Sequence, residues 1–187
     1  LLVGDAGVGK SRLLEEALRR RAGHGWRTHR FVATEAASDI PLGALFSLVP
    51  TRAPADRAQL LAQVRSEIVG DAGDLVLVAI DDAHLLDDLS TALLCELVHR
   101  EDAALVATVR TGETAPASLT ALWTSGTVER VDVPPLAPDA VIALAADHLH
   151  APLSEELATE LVRISSGNPL LLREVLLDAR ASGAIAE

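Results

Sequence analysis

The octet Gly4-Asp5-Ala6-Gly7-Val8-Gly9-Lys10-Ser11 holds the chain's most specific chemistry. It fits the pattern G-x-x-x-x-G-K-[ST], in which each residue type has its own task. Gly4, Gly7 and Gly9 admit backbone φ values closed to other residues, so successive N–H groups turn inward as an anion nest. Lys10 suits the β- and γ-phosphates of a nucleotide as a point charge, and the Ser11 hydroxyl suits Mg²⁺. Asp5, Ala6 and Val8 complete the loop. Arg12 lies on the first turn of the following helix, whose N-terminal dipole also favours negative charge. A glycine-rich strand-to-helix turn would be the plain alternative. The context argues for the phosphate loop: Leu1-Leu2-Val3 reads as the end of a buried strand and Ser11 to Arg21 as an amphipathic helix.

A second group of residues lies about seventy positions on. Leu75-Val76-Leu77-Val78-Ala79-Ile80 is an unbroken apolar run ending in Asp81-Asp82. Acidic residues at the C-terminal end of a parallel strand stand where open α/β sheets bind ligands. Asp81 is expected to hold Mg²⁺ opposite Ser11, and Asp82 to orient or deprotonate an attacking water. Without the loop, the same pair would read as carboxylates solvating a strand end or capping a helix. Arg110 ends the next apolar run, Ala104 to Val109, and so points to the same sheet edge. It is expected to contact a γ-phosphate, the alternative being a surface ion pair with Glu113 or Asp82. Thr108 reads as core, His84 as a packed or hydrogen-bonded side chain, and Asp87 and Asp88 as a solvated loop.

The elements that must position these groups alternate between strand and helix. The first helix turns Leu13, Leu14, Ala17 and Leu18 inward. Strands are expected over 26–34, 75–80, 104–109 and 127–133, and helices over 41–49, 56–69 and 118–123, with Ser90 capping a helix that ends at His99-Arg100. Gly70 should stop the helix before the acidic strand. An apolar run without alternation marks a parallel strand covered on both faces. An open parallel sheet with helices on both faces follows. Beyond Pro135 the strands cease. Pro138 to Leu149, Ser154 to Ser165 and Pro169 to Ser182 read as three helices, with Ser154 as a cap and Gly167 and Gly183 as stops. The chain therefore divides into an α/β domain over 1–135 and a helical, lid-type subdomain over 136–187.

Composition narrows the classes. A formal net charge of −11 argues against direct nucleic-acid contact by this segment. Nucleotide binding must then rest on local positive potential at the loop. No apolar run is long enough to span a bilayer, so no membrane partner is expected. The single cysteine, Cys95, lies among Leu93, Leu94, Leu97 and Val98 and reads as a buried small hydrophobe, which suits a reducing, cytoplasmic setting. The chain contains no Met and opens inside a strand, so it reads as a fragment of a longer polypeptide whose other domains are its first partners.

Four segments occur together in order: Gly4 to Ser11, Leu77-Val78-Ala79-Ile80-Asp81-Asp82-Ala83-His84, Ala107-Thr108-Val109-Arg110 and Ser166-Gly167-Asn168-Pro169-Leu170. This set resembles the AAA+-like NTPase domain of the STAND class, and is most similar to the large ATP-binding regulators of the LuxR family. The resemblance covers essentially the whole chain, including Thr34-Glu35 and Pro41-Leu42. It implies a P-loop NTPase fold: a five-stranded parallel sheet with the sensor strand between the loop strand and the acidic strand, then a helical subdomain. It implies ATP or ADP with Mg²⁺ as cofactors, Asp81 for the metal, Asp82 with Lys10 and Arg110 for catalysis, and Pro169 near the adenine. Residues alone would make Gly167-Asn168-Pro169 a helix stop followed by a helix start.

The function expected is a slowly hydrolysing ATP switch within a transcriptional regulator, with self-association on ATP binding. Three departures bear on it: the Gly-Arg element upstream of the first strand, the DNA-binding regions and an arginine finger are all absent from this sequence. Alternatives are a nucleotide-binding scaffold without turnover, another AAA+ ATPase such as a ring-forming remodeller, and a small-molecule kinase. The kinase is disfavoured because Arg163, Arg173 and Arg180 form no clustered basic lid.

Overall fold

The computed structural model describes residues 1–181 except 53, 55 and 72. Five strands, β1 (Leu2–Gly4), β2 (Arg27–Val32), β3 (Val76–Asp81), β4 (Ala104–Arg110) and β5 (Val131–Asp132), form one sheet in the order β2-β3-β4-β1-β5. The sheet is parallel, with Val32 beside Asp81, Ile80 beside Ala107 and Val3 beside Asp132. The expected position of the sensor strand is realised, since β4 lies between β1 and β3. All six residues of β3 are buried. Because side chains alternate across a strand, burial of every position means that both faces are covered.

The chain forms two compact units. The first comprises Leu1–Val3 and Ser11–Asp132; the second comprises Gly4–Lys10 and the described residues from Val133 onward. The phosphate loop thus groups with the C-terminal helices.

In the first unit the core is aliphatic, with Phe31 as its buried aromatic: Val78, Ile80, Leu93, Leu97, Val109 and Leu119 meet within one cluster. It is supplied by the sheet and by α2 (Arg57–Val69), α3 (Asp88–His99) and α4 (Ala117–Thr124). Gly70 caps α2 with φ 71°, as its place after Val69 leads one to expect. Cys95 is buried, and that burial raises its thiol pKa, so it behaves as a small hydrophobe. In the second unit α5 (Pro138–Leu149), α6 (Glu155–Ser165) and α7 (Pro169–Ala181) enclose a smaller core of Val141, Ala145, Leu161, Leu172 and Leu176. Ser154 caps α6 through the Leu157 N–H at 3.2 Å. The expected end of α7 at Ser182 and the stop at Gly183 fall outside the described residues.

Several expectations need correction. In α1 (Lys10–Ala22) Leu14 is fully buried but Leu13 is 48% exposed, because the buried stripe is narrower than four residues. Residues 41–49 do not form an α-helix. Leu42 takes a left-handed conformation with φ 60°, and a 3-10 segment Gly43–Leu48 follows. The last strand is only two residues long. Ser90 lies inside α3 rather than capping it; Asp87 is the cap.

Asp87 is not a solvated loop residue either, and Asp88 opens α3. Asp87 is 5% exposed, and its Oδ1 accepts from the N–H groups of Leu42, Leu89 and Ser90 at 2.9, 3.1 and 2.9 Å. Desolvation alone would raise its pKa. The hydrogen bonds from Ser90, Leu42 and Leu89 outweigh it and hold the carboxyl below its usual value. With the folded pKa depressed, its contribution is complete above the unfolded pKa and is lost as pH falls through the folded one. Asp87→Ala removes a cap and leaves the Leu42 N–H buried without a partner, so a loss of about 3 kcal/mol is expected. Urea denaturation at neutral pH measures it, and the difference from wild type should shrink in acid.

Candidate functional site

The residues picked out above are divided between the two units, Gly4 to Lys10 and Pro169 in the second and Ser11, Arg12, Asp81, Asp82 and Arg110 in the first. In the second unit the loop takes the conformation its glycines permit: Gly7 and Gly9 have φ of 81° and 103°. The three glycines differ in surroundings. A Cβ on Gly4 would lie 2.6 Å from the Val133 carbonyl oxygen, and one on Gly7 would lie 2.6 Å from Asn168 Oδ1. At Gly9 nothing lies within 4 Å of that position. The loop is therefore packed from behind at Gly4 and Gly7 and open at Gly9, as a cradle for an outside group requires. Val8 anchors it at 5% exposure, whereas Asp5 and Ala6 are exposed. Lys10 is 6% exposed, and its Nζ donates to the carbonyl oxygens of Gly4 and Asp5 at 2.9 and 2.8 Å. The ammonium is thus folded onto the loop itself.

Pro169 opens α7 and, with Leu144, His148, Leu172, Arg173 and Leu176, lines a mostly apolar cavity of about 160 Å³. Asn168 reaches the loop directly, its Nδ2 donating to the Ala6 carbonyl at 2.9 Å. Sequence reasoning passed over Asn168, treating it as part of a turn. Nothing in a helix stop reveals a partner 162 residues away.

The first unit brings the remaining residues together. Ser11 Oγ donates to Asp81 Oδ1 at 2.9 Å across 70 positions. Thr108 donates to the same oxygen at 2.7 Å, and its hydroxyl accepts from the Asp82 N–H at 2.8 Å. Thr108 is fully buried, so it is core by position and polar by role. One signal for it was legible: Thr108 and Arg110 are two apart on β4 and therefore share a face. Arg30, on the neighbouring β2, was also missed. Its guanidinium lies 3.6 Å from Asp81 Oδ2 and 3.4 Å from Glu15 Oε1. Arg12, expected beside nucleotide, is exposed and pairs with Glu15 at 3.6 Å.

Asp82 has φ 55°, a left-handed conformation unusual outside glycine and better tolerated by Asp than by most residues. Its carboxylate receives Arg110 in a two-point contact at 3.2 and 3.0 Å. The hydrogen bond and charge of Asp82 raise the guanidinium pKa further. The ion-pair alternative for Arg110 is thus realised here, with Asp82 rather than Glu113 as partner. His84 is half-buried in the 3-10 turn Ala83–Leu85.

The donor set fits a hydrated magnesium ion rather than a protein cage. Ser11 and Asp81 supply one hydroxyl and one carboxylate, and Mg²⁺ ordinarily takes one or two carboxylates, waters and substrate phosphate oxygens. Among the described residues, no three His, Cys, Asp or Glu side chains converge as a metal cluster. No helix among them is long and apolar enough to cross a membrane.

Comparisons with known proteins bear on the fold and the family. The chain superposes on AMPPCP-bound DnaA from Aquifex aeolicus with a TM-score of 0.68 and 15% identity, over 97% of this chain and 54% of that one. The Orc1 protein of Aeropyrum pernix, solved with DNA, gives 0.69 at 12% identity over 100% and 55%. The RuvB Holliday junction branch migration motor of Thermotoga maritima gives 0.62 at 15% identity over 96% and 53%. The chain spans about half the length of these structures. Identities this low make the likeness one of fold. No curated protein sequence matches the chain. The family model described as an AAA domain matches residues 1–119, a span that includes the Gly4–Ser11 loop, β3 and β4. By a match of that extent, on a P-loop NTPase fold, the chain belongs to the AAA domain family.

Proposed function

We propose that this chain is an ATP-binding, Mg²⁺-dependent switch module that hydrolyses ATP slowly and serves a larger cytoplasmic transcriptional regulator of the STAND class, nearest in motif content to the LuxR family. The observation that carries the nucleotide reading is the Ser11–Asp81 hydrogen bond. It pairs the residue that follows Lys10 with the carboxylate that ends β3, the two groups that Mg²⁺ chemistry on a triphosphate requires. The AMPPCP in the related DnaA structure supports the same ligand class. The regulator assignment rests on the motif set alone, down to Ser166-Gly167-Asn168-Pro169-Leu170.

In this reading Gly4 to Gly9 bind the phosphates through backbone N–H groups, Lys10 leaves its carbonyl partners for phosphate oxygens, and Pro169 borders the base. Ser11 and Asp81 hold the metal, which neutralises phosphate charge when bound. Thr108 keeps Asp81 in place. Asp82 orients the attacking water, and Arg110 reports the γ-phosphate. The module's partners are the other domains of its polypeptide and, in the ATP state, further copies of itself; the net charge of −11 speaks against nucleic acid as a direct partner of this segment.

A scaffold that holds nucleotide without turning it over is favoured by one observation: Arg110 occupies the Asp82 carboxylate. Binding itself is tested by thermal unfolding. ATP with Mg²⁺ at about a hundred times Kd adds about 2.7 kcal/mol, a rise of roughly 5–10 °C for a chain of this size. Ser11→Ala should keep the response to ATP alone and lose the increment from Mg²⁺. A wild-type melting temperature indifferent to every adenine nucleotide would rule out both readings.

A further inference from the structure

The turn Asn168-Pro169-Leu170 grips the back of the phosphate loop at two consecutive peptide units. Asn168 Nδ2 donates to the Ala6 carbonyl at 2.9 Å, and the Leu170 N–H donates to the Gly7 carbonyl at 3.3 Å. In a trans peptide the C=O and the following N–H point in opposite directions. Holding the Ala6 carbonyl therefore aims the Gly7 N–H away from the turn, and holding the Gly7 carbonyl does the same for the Val8 N–H. An anion nest needs its N–H groups in that orientation before the ligand arrives.

Asn168 is itself held by further hydrogen bonds. Its Oδ1 accepts from the N–H groups of Leu170 and Leu171 at 3.0 and 3.3 Å, capping α7. Its own N–H donates to Ser165 at 2.8 Å. Gly167 before it has φ 77° and is pressed against the Leu136 carbonyl, so no side chain can displace the turn there. At Gly7 the fit is equally close, since a Cβ would meet Asn168 Oδ1 at 2.6 Å and Leu170 Cβ at 2.9 Å.

From this geometry we infer that Asn168 is a positioning residue of the phosphate loop, one whose amide uses its oxygen to start α7 and its nitrogen to hold the Ala6 carbonyl, so that the Gly7 N–H stands ready for phosphate. The inference rests on the nucleotide-binding reading for its consequence but not for its geometry. It makes the start of α7 part of the phosphate site, so occupancy of the loop and the setting of that helix become linked.

Asn168→Ser separates the two tasks. Serine caps a helix about as well as asparagine, but its side chain is too short to reach Ala6. Asn168→Asp keeps the cap and turns the donor into an acceptor facing a carbonyl. The first measurement needs no nucleotide: ¹⁵N relaxation of the free protein. In wild type the Gly7 amide should have an order parameter of about 0.85, and in both variants this should fall below about 0.6, with α7 unaffected. The second is ADP titration: affinity should drop roughly tenfold in Asn168→Ser while the melting temperature of the free protein changes little. An unchanged order parameter at Gly7, or equal ADP affinity of wild type and Asn168→Ser, would overturn the inference. If wild type binds no ADP, the nucleotide reading falls, and the relaxation result alone decides the role of Asn168.

Discussion

Lys10→Ala abolishes the rise in melting temperature that ATP with Mg²⁺ produces in the wild-type protein. The wild-type side chain contributes a full charge from a nearly dry position, at 6% exposure, with its ammonium held at the loop by the Gly4 and Asp5 carbonyls. Those carbonyls are neutral partners, so a phosphate oxygen offers a stronger, charge-assisted bond. Hydrogen bonds involving charged groups contribute about 1.5–3 kcal/mol each, and two of them to phosphate correspond to at least a hundredfold in affinity. The same substitution also removes two internal bonds from the loop, so the free variant should melt slightly lower. The decisive comparison is the shift with nucleotide minus the shift without it. A variant that gains as many degrees as wild type would remove Lys10 from the phosphate site and leave the octet a structural turn.

The second large effect is on turnover. Asp82→Asn should slow phosphate release by about a hundredfold to ten-thousandfold, the range over which a positioned acid or base acts. Stability should scarcely move. Asp82 and Arg110 are partly exposed, and an ion pair of that kind contributes at most about 1 kcal/mol. Asparagine also tolerates the left-handed backbone that Asp82 adopts at φ 55°. ATP affinity should therefore persist while hydrolysis is lost. Arg110→Ala gives the complementary result: the carboxylate is released, but the γ-phosphate contact goes with it, so ATP and ADP should bind alike. If wild type and Asp82→Asn release phosphate at the same slow rate, the scaffold reading replaces the switch.

Local grammar made much of the fold legible. The apolar run before Asp81-Asp82 reads as a strand covered twice, and Val76 to Ile80 are buried within β3, while Leu75, which opens the run, precedes the strand and is exposed. Proline at the start of α5, serine before α6 and glycine after α2 acted where their backbone preferences put them. Expectations failed where a distant group overrode a local preference. Ser90 has a good cap residue's side chain, yet Asp87 caps α3 because the same carboxylate also holds the Leu42 N–H, 45 positions away. The left-handed turn at Leu42 in place of a helical start follows from that meeting and leaves no trace in its own sequence.

The candidate site divides in the same way. The octet, the acidic strand end and the arginine two residues beyond Thr108 were determined by sequence alone, because each task demands particular residue types at short, fixed spacing. Sequence alone also determined the class of fold, since strand and helix periods are local properties. Tertiary structure decided which of these groups touch. It set Thr108 between Asp81 and Asp82, brought Arg30 beside Asp81, gave Arg110 to Asp82, and tied Asn168 to Ala6. Each of these contacts joins residues at least 26 positions apart, and hydrogen-bond geometry at that separation is a property of the packed sheet and helices rather than of any segment.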